Sequence, residues 1–305
     1  MTAIAGKQPN YKVAPPKSGM TIKQQALINS IIVNAIVILL VLLWTIPTFG
    51  LLVSSFRPRD LITSSGWWTA FVTAFQSGAW TLDNYRSVLF ADAMGSAFLN
   101  SMLVTIPSTV IPITIAAFAA YAIAWLEFPG RKAFFLVLVG LMVVPLQMSL
   151  QPLFSLYQAT GLNGTFLGIW LAHTGFGLPL ATYLLFGYIS SLPVDLIEAA
   201  RVDGATPMLT FTRLVLPLST PAIAAFAIFQ FLWVWNDLLV ALVFLGTRAD
   251  VAVLTTRLSE LVGSRGQAWH VLTAGAFVTM IMPLVVFFSL QRFFVRGLMA
   301  GSVKG

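Results

Sequence analysis

The chain contains no cysteine, which excludes disulfides, thiolate metal sites and cysteine nucleophiles. It is also short of charge. Only 9% of its 305 residues are Asp, Glu, Lys or Arg, against 58% hydrophobic, where soluble domains carry roughly 25% charged residues. Such a chain cannot clothe a water-facing surface, so the solvent for most of it is lipid. Histidine is scarce: His173 and His270 stand alone and read as helix-lining or interfacial residues. There is no G-x-x-x-x-G-K-[ST] phosphate loop, no His-x-x-x-His pair and no carboxylate cluster. The chain itself is therefore expected to bind no cofactor or metal and to catalyse no reaction.

What is there is hydrocarbon. Six apolar segments are long enough to span a bilayer, at about 28–53, 97–126, 133–157, 165–189, 218–245 and 271–294, given that a span needs ~20 apolar residues. Each is predicted as a helix, because isolated strands leave backbone groups unpaired in lipid. The fold class is all-α, a polytopic membrane protein. Residues 1–26 carry four lysines and no acid and read as a polar tail. The apolar run that follows is too long for a signal-peptide core and is expected to stay in the protein.

The excess of 17 Lys+Arg over 10 Asp+Glu fits basic cytoplasmic loops rather than nucleic acid. With the amino terminus inside, inner segments carry Lys7, Lys12, Lys17, Lys23, Arg131, Lys132, Arg201, Arg213, Arg292, Arg296 and Lys304. Outer segments carry Arg57, Arg59, Arg86, Arg248, Arg257 and Arg265, with acids nearby. Both termini are thus expected to be cytoplasmic. The transmembrane domain, 27–297, then has external segments at 54–95 and 246–270 and a cytoplasmic loop at 190–217, with a carboxy-terminal tail at 298–305. Trp67, Trp68, Trp80 and Tyr85 suit a membrane–water interface. Prolines 107, 112, 145, 152, 179, 221 and 283 are each expected to bend a helix, which favours a cavity-forming bundle.

The loop "LPVDLIEAARVDGATPMLTFTRLVLP" is the polar exception between two greasy runs. It predicts a short helix with Asp195 as N-cap and Glu198 completing a capping box, a sharp turn at Gly204, and a second amphipathic turn before Pro217. By periodicity alone this is an ordinary connector. Its letters, Glu198-Ala199-Ala200, Gly204 and Leu214-Val215-Leu216-Pro217, resemble the EAA motif of binding-protein-dependent ABC importer permeases. Leu214 replaces the motif's Ile. "LDNYRSVL", "LNSMLVT", "WVWNDLLVAL" and the final "GLMAGSVKG" resemble the carbohydrate branch, specifically the shorter permease of the maltose-transporter type.

That resemblance implies a type I importer fold with a coupling helix on the cytoplasmic face. Glu198, Ala199, Ala200, Asp203, Gly204, Ala205 and Pro217 would contact a cytoplasmic ATPase. Gly297, Gly301, Lys304 and Gly305 would reach the seam between two ATPase copies. ATP and Mg would be bound by that partner. The other implied partners are a second homologous permease, forming a heterodimer, and an extracytoplasmic solute-binding protein, in a bacterial inner membrane.

Candidates for the solute path are Gln147 and Gln151, four apart, and Gln230, Trp233 and Asp237 at i, i+3 and i+7, with Asn236 beside them. Amides and a carboxylate next to an indole suit a sugar; the same groups also serve as interhelical hydrogen bonds. For Asn100 the second reading is preferred. The substrate is expected to be a di- or oligosaccharide, with an alpha-glucoside suggested by the first outer stretch. Polyols, glycerol phosphate or another small solute are the alternative. An ion-coupled secondary carrier is disfavoured by the absence of a repeat, the sparse intramembrane charge and the docking-loop motif.

Overall fold

The computed structural model describes residues 22–91, 93–264 and 269–302. It is helical, with no strand among the described residues. The long elements are α1 (Ile22–Ser55), α2 (Met94–Trp125), α3 (Arg131–Leu141), α4 (Leu146–Thr160), α5 (Phe166–Ile189), α6 (Val194–Val202), α7 (Pro207–Leu218), α8 (Thr220–Trp235), α9 (Leu239–Phe244), α10 (Leu254–Ser264) and α11 (Trp269–Ser302). The chain divides into two units, Met1–Leu51 and Leu52–Gly305. The packing described here lies within the second.

Two of the six apolar segments are not straight spans. The third is α3 and α4, bent by 100° at a short break, and the fifth begins at a 71° bend between α7 and α8. Among the described residues, four helices are long and apolar enough to cross alone, and up to six spans result if each bent pair counts as one. An 11-residue α3 reaches only about 16 Å, half of the roughly 30 Å of hydrocarbon, so it needs α4 to complete a crossing. The fifth segment breaks again at Asn236–Leu238, between α8 and α9.

The centre of the second unit is α2 against α5, with α8 lying on both and α11 on α8. Close approach is possible because Ala116, Ala117 and Ala120 of α2 and Ala181 of α5 are buried where they meet, the small-residue device of membrane helix pairs. At Gly168, near the start of α5, the constraint is local instead. A Cβ on Gly168 would sit 2.2 Å from the Leu162 carbonyl oxygen, and the Gly168 N–H donates to the N-cap hydroxyl of Thr165. That pair shapes the start of α5 rather than a helix–helix seam.

Most prolines do not break their helices. Pro107 and Pro112 lie inside α2, Pro152 inside α4, Pro179 inside α5 and Pro283 inside α11. Pro145 stands at the α3–α4 break and Pro221 in the first turn of α8, where a missing N–H is harmless. A mid-helix proline frees the carbonyl four residues earlier, and three of these are met by side chains from neighbouring helices. Trp170 Nε1 donates to Leu103 O at 2.8 Å, opposite Pro107. Gln230 Nε2 donates to Ser108 O at 3.1 Å, opposite Pro112. Trp235 Nε1 donates to Thr279 O at 2.9 Å, opposite Pro283. Neighbouring helices fill these freed acceptors, the helices continue past the prolines unbroken, and the filled sockets fix helix register.

The segment after α1 is built around Arg57, which is 1% exposed. Its guanidinium donates to Gly66 O, Ser65 Oγ and Thr69 Oγ1 at 2.9, 2.9 and 3.1 Å. Asn84 Nδ2 donates to the carbonyls of Ser55 and Arg57 at 2.9 and 2.8 Å. Arg86, Arg248 and Arg257 do pair with Asp83, Asp250 and Glu260. Arg57 has no carboxylate partner among the described residues, contrary to the expectation that acids match it; carbonyls and hydroxyls take the acids' place.

Candidate functional site

The polar loop forms a compact knob. α6 starts from Pro193, whose φ of −57° and ψ of 128° set the N-cap without a side-chain hydrogen bond. Asp195 is therefore inside the first turn, and the predicted capping box does not form; the fixed φ of Pro193 sets the entry instead. The end of α6 is a glycine-closed turn. Gly204 has φ +76°, its N–H donates to Arg201 O at 3.0 Å, and Ala205 N–H reaches back to Ala200 O at 2.9 Å. This is the six-to-one closure of a Schellman turn, which favours glycine because a Cβ costs roughly 1–2 kcal/mol in the left-handed region. Ala199, Ala200, Asp203, Gly204 and Ala205 are thus parts of one turn. α7 follows, capped by Thr206 and containing a π-type turn at Phe211–Val215 just before Pro217.

One face of the knob is anchored and the other is open. Ile197, 2% exposed, packs with Tyr121, Leu185, Ile189, Phe211 and Val215. Arg201 Nη2 donates to Trp125 O at 2.8 Å, and Trp125 Nε1 donates to Ile189 O at 3.0 Å. These bonds tie the knob to the ends of α2 and α5. Glu198, Ala199, Asp203 and Gly204 are exposed, beside Leu196, Met208 and an 87%-exposed Val202. None of the four ion pairs among the described residues involves Glu198.

The six solute-path candidates do not share one surface. Gln230 is buried in its socket, so close to α5 that a Cβ on Gly177 would meet its Nε2 at 2.7 Å. It is an interhelical lock. Trp233 lines a cleft of about 600 Å³ with Leu146, Leu153, Tyr157, Phe176 and Pro179. Asn236 lines a separate cleft of about 440 Å³ with Trp235, Thr255, Leu258 and Thr279, and its Nδ2 donates to Leu232 O. Gln147 and Gln151 are exposed on α4, on a face other than the one Leu146, Leu153 and Tyr157 turn to the Trp233 cleft.

Asp237 sits at the break. Its carboxyl oxygens accept from the N–H groups of Val240 at 3.3 Å and Ala241 at 3.0 Å, capping α9, where a negative group is favoured. Its own carbonyl accepts from Thr255 Oγ1 at 2.7 Å. The face shared by Gln230, Trp233 and Asp237 is lost because the helix ends at Trp235 and the break turns the next residues. Asn100 binds the carbonyls of Asp250 and Ala252 at 3.1 and 3.0 Å, the hydrogen-bonding role expected of it.

Two residues mattered more than the sequence implied. His173, on α5, stacks edge-on to Trp233 with ring centroids 5.5 Å apart, and its Nε2 lies 3.8 Å from Asp237 Oδ2. Arg57 centres the segment after α1. A lone histidine or arginine carries no local pattern, so nothing in the sequence marks either. At the other end, α11 continues through Ser302, so Gly297 and Gly301 lie in a helix, while Lys304 and Gly305 lie outside the described residues.

With this geometry in view, the similarities are informative. The osmoprotective compounds uptake permease protein GgtD of Synechocystis sp. is 59% identical, over 89% of this chain and 91% of its own. The alpha-glucoside transport system permease protein AglG of Rhizobium meliloti is 46% identical, over 90% and 97%. The trehalose transport system permease protein SugB of Mycobacterium tuberculosis is 38% identical, over 74% and 82%. The fold matches a chain of a bacterial ABC transporter involved in the import of the acidic polysaccharide alginate, at TM-score 0.68 and 18% identity over 90% of this chain and 99% of that one. Residues 96–299, from the start of α2 almost to the end of α11, match the family described as binding-protein-dependent transport system inner membrane component, and the chain, a multi-pass membrane transport subunit, belongs to that family.

Proposed function

We propose that this chain is one of two homologous permeases in an ATP-driven, binding-protein-dependent importer of a neutral glycoside, of the alpha-glucoside class. The observation that carries the reading is the knob. A short rigid element, anchored on one face by Ile197 and Arg201 and exposing Glu198 with Val202 and Met208 on the other, suits a partner's groove. Rigid-body motion of that partner would pass directly to α2 and α5. The chain has no phosphate-binding loop, so ATP and Mg belong to two copies of a cytoplasmic ATPase that the knob contacts. The motif resemblance assigns contact with the same subunits to the carboxy-terminal residues Gly297, Gly301, Lys304 and Gly305. A solute-binding protein delivers the glycoside from outside, and Trp233 and Asn236 each face it from one cleft, completed by the sister permease.

The substrate class is tested by purifying the complex with its binding protein and identifying the co-purified solute by mass. An alpha-glucoside is expected. The relative named for osmoprotective compounds favours one second reading, and recovery of a non-glycosidic compatible solute would establish that instead. The asymmetry of the basic residues supports a cytoplasmic position for both termini. A single cysteine at Ser77 should then react with an impermeant thiol reagent in intact cells and one at Ser18 should not. The reverse pattern overturns the orientation.

A further inference from the structure

We propose that His173 and Asp237 hold one buried water molecule that bridges α5 to the break in the fifth segment. His173 is 1% exposed, and neither of its ring nitrogens has a hydrogen-bond partner in the protein. A buried imidazole left so is costly, since an unpaired buried polar group forfeits the hydrogen bonds it made to water. Asp237 Oδ2 is 3.8 Å from Nε2, beyond direct hydrogen-bond reach. Both residues line a cavity of about 10 Å³, together with Ser101, Thr105 and Thr255 among apolar neighbours. That is the size of a single water site, which needs about 10–15 Å³ of probe-occupied volume and two to four polar partners. The cavity supplies both requirements.

The capacity on each side matches. A neutral imidazole offers one donor and one acceptor. The Asp237 carboxyl spends only part of its acceptor capacity on the N–H groups of Val240 and Ala241. A water accepting from His173 Nε2–H and donating to Asp237 would satisfy that one of the two ring nitrogens and hold the carboxyl in its capping position. His173 also packs edge-on against Trp233. The bridge would therefore set three things at once: the cap on α9, the angle of the break, and the direction in which Trp233 faces its cleft. His173 is in this sense a positioning residue. Its consequence for solute passage rests on the importer reading above, but the water site does not.

The test reads the site directly. Hydrogen exchange at the Val240 and Ala241 amides is measured in the assembled complex for the wild type, His173→Leu and His173→Gln. Leucine removes the bridge, and glutamine restores a side chain with both donor and acceptor. The leucine variant should exchange about tenfold faster at these amides, as loss of one such bond implies, and the glutamine variant should lie within about threefold of wild type. Equal protection in all three variants overturns the proposal. So does equal loss in both, because ring shape rather than hydrogen bonding would then hold the cap. If the leucine variant fails to assemble, a high-resolution map of the wild-type complex decides. A density peak within hydrogen-bonding distance of both His173 Nε2 and Asp237 Oδ2 is expected, and direct contact or no density overturns it.

Discussion

Charge reversal at Glu198 is expected to reduce transport at least about thirtyfold while the permease remains folded and inserted in the membrane. Glu198 is exposed and takes part in none of the ion pairs among the described residues, so Glu198→Lys leaves the chain's own packing intact. What it changes is the surface offered to a partner. Breaking one side of a desolvated charge pair at an interface costs about 2–5 kcal/mol, or tens- to thousands-fold in affinity. Ile197→Asp provides the contrast. It buries a carboxylate in the cluster of Tyr121, Leu185 and Phe211 and should lower the amount of permease itself. Transport per assembled permease, together with recovery of the ATPase on purification, separates the two. Normal transport and normal ATPase recovery by Glu198→Lys would remove the knob from the coupling path.

The second large effect concerns the proline sockets. Gln230→Leu keeps the side chain's bulk but withdraws the donor that meets Ser108 O, the carbonyl freed by Pro112. Leaving that buried acceptor unmet should destabilise the bundle by about 1–3 kcal/mol. The diagnostic variant is the double one. Pro112→Ala returns an N–H to position 112, which bonds Ser108 O within α2 and makes the Gln230 amide dispensable. Gln230→Leu should therefore be much less harmful when combined with Pro112→Ala than alone. Thermal unfolding of the detergent-solubilised complex measures both, and strictly additive losses would show that the socket is not the reason Gln230 is there.

These sockets also explain why the path residues were read as one face. Helical spacing places Gln230, Trp233 and Asp237 together only if the helix is unbroken, and an apolar run of 28 residues gives no sign of interruption at Asn236. The break is made by partners far away in sequence: Asp237 caps α9 locally, but Thr255 holds its carbonyl and His173 lies beside its carboxyl. Likewise, Pro107, Pro112 and Pro283 each free a carbonyl by local chemistry, and Trp170, Gln230 and Trp235 meet those carbonyls from other helices. Arg57 looked like one more external charge, because only the folded segment brings Gly66, Ser65 and Thr69 to it.

The sequence alone determined the lipid solvent, the all-α class, the membrane-spanning regions and the family. Each follows from information that is local or compositional: scarce charge, apolar runs matched to bilayer thickness, and the EAA-type letters from Glu198 to Pro217. Even the turn at Gly204 was legible, since only the backbone conformation of that residue demands it. Tertiary structure alone decided that the third and fifth segments are broken, that Gln230 is a lock rather than a lining residue, that Trp233 and Asn236 face different clefts, and that His173 meets Asp237. The physical reason is the same in each case. A buried polar group is satisfied by whichever donor or acceptor the packing brings near, and in this chain those partners lie up to 153 residues apart, beyond the reach of any local pattern.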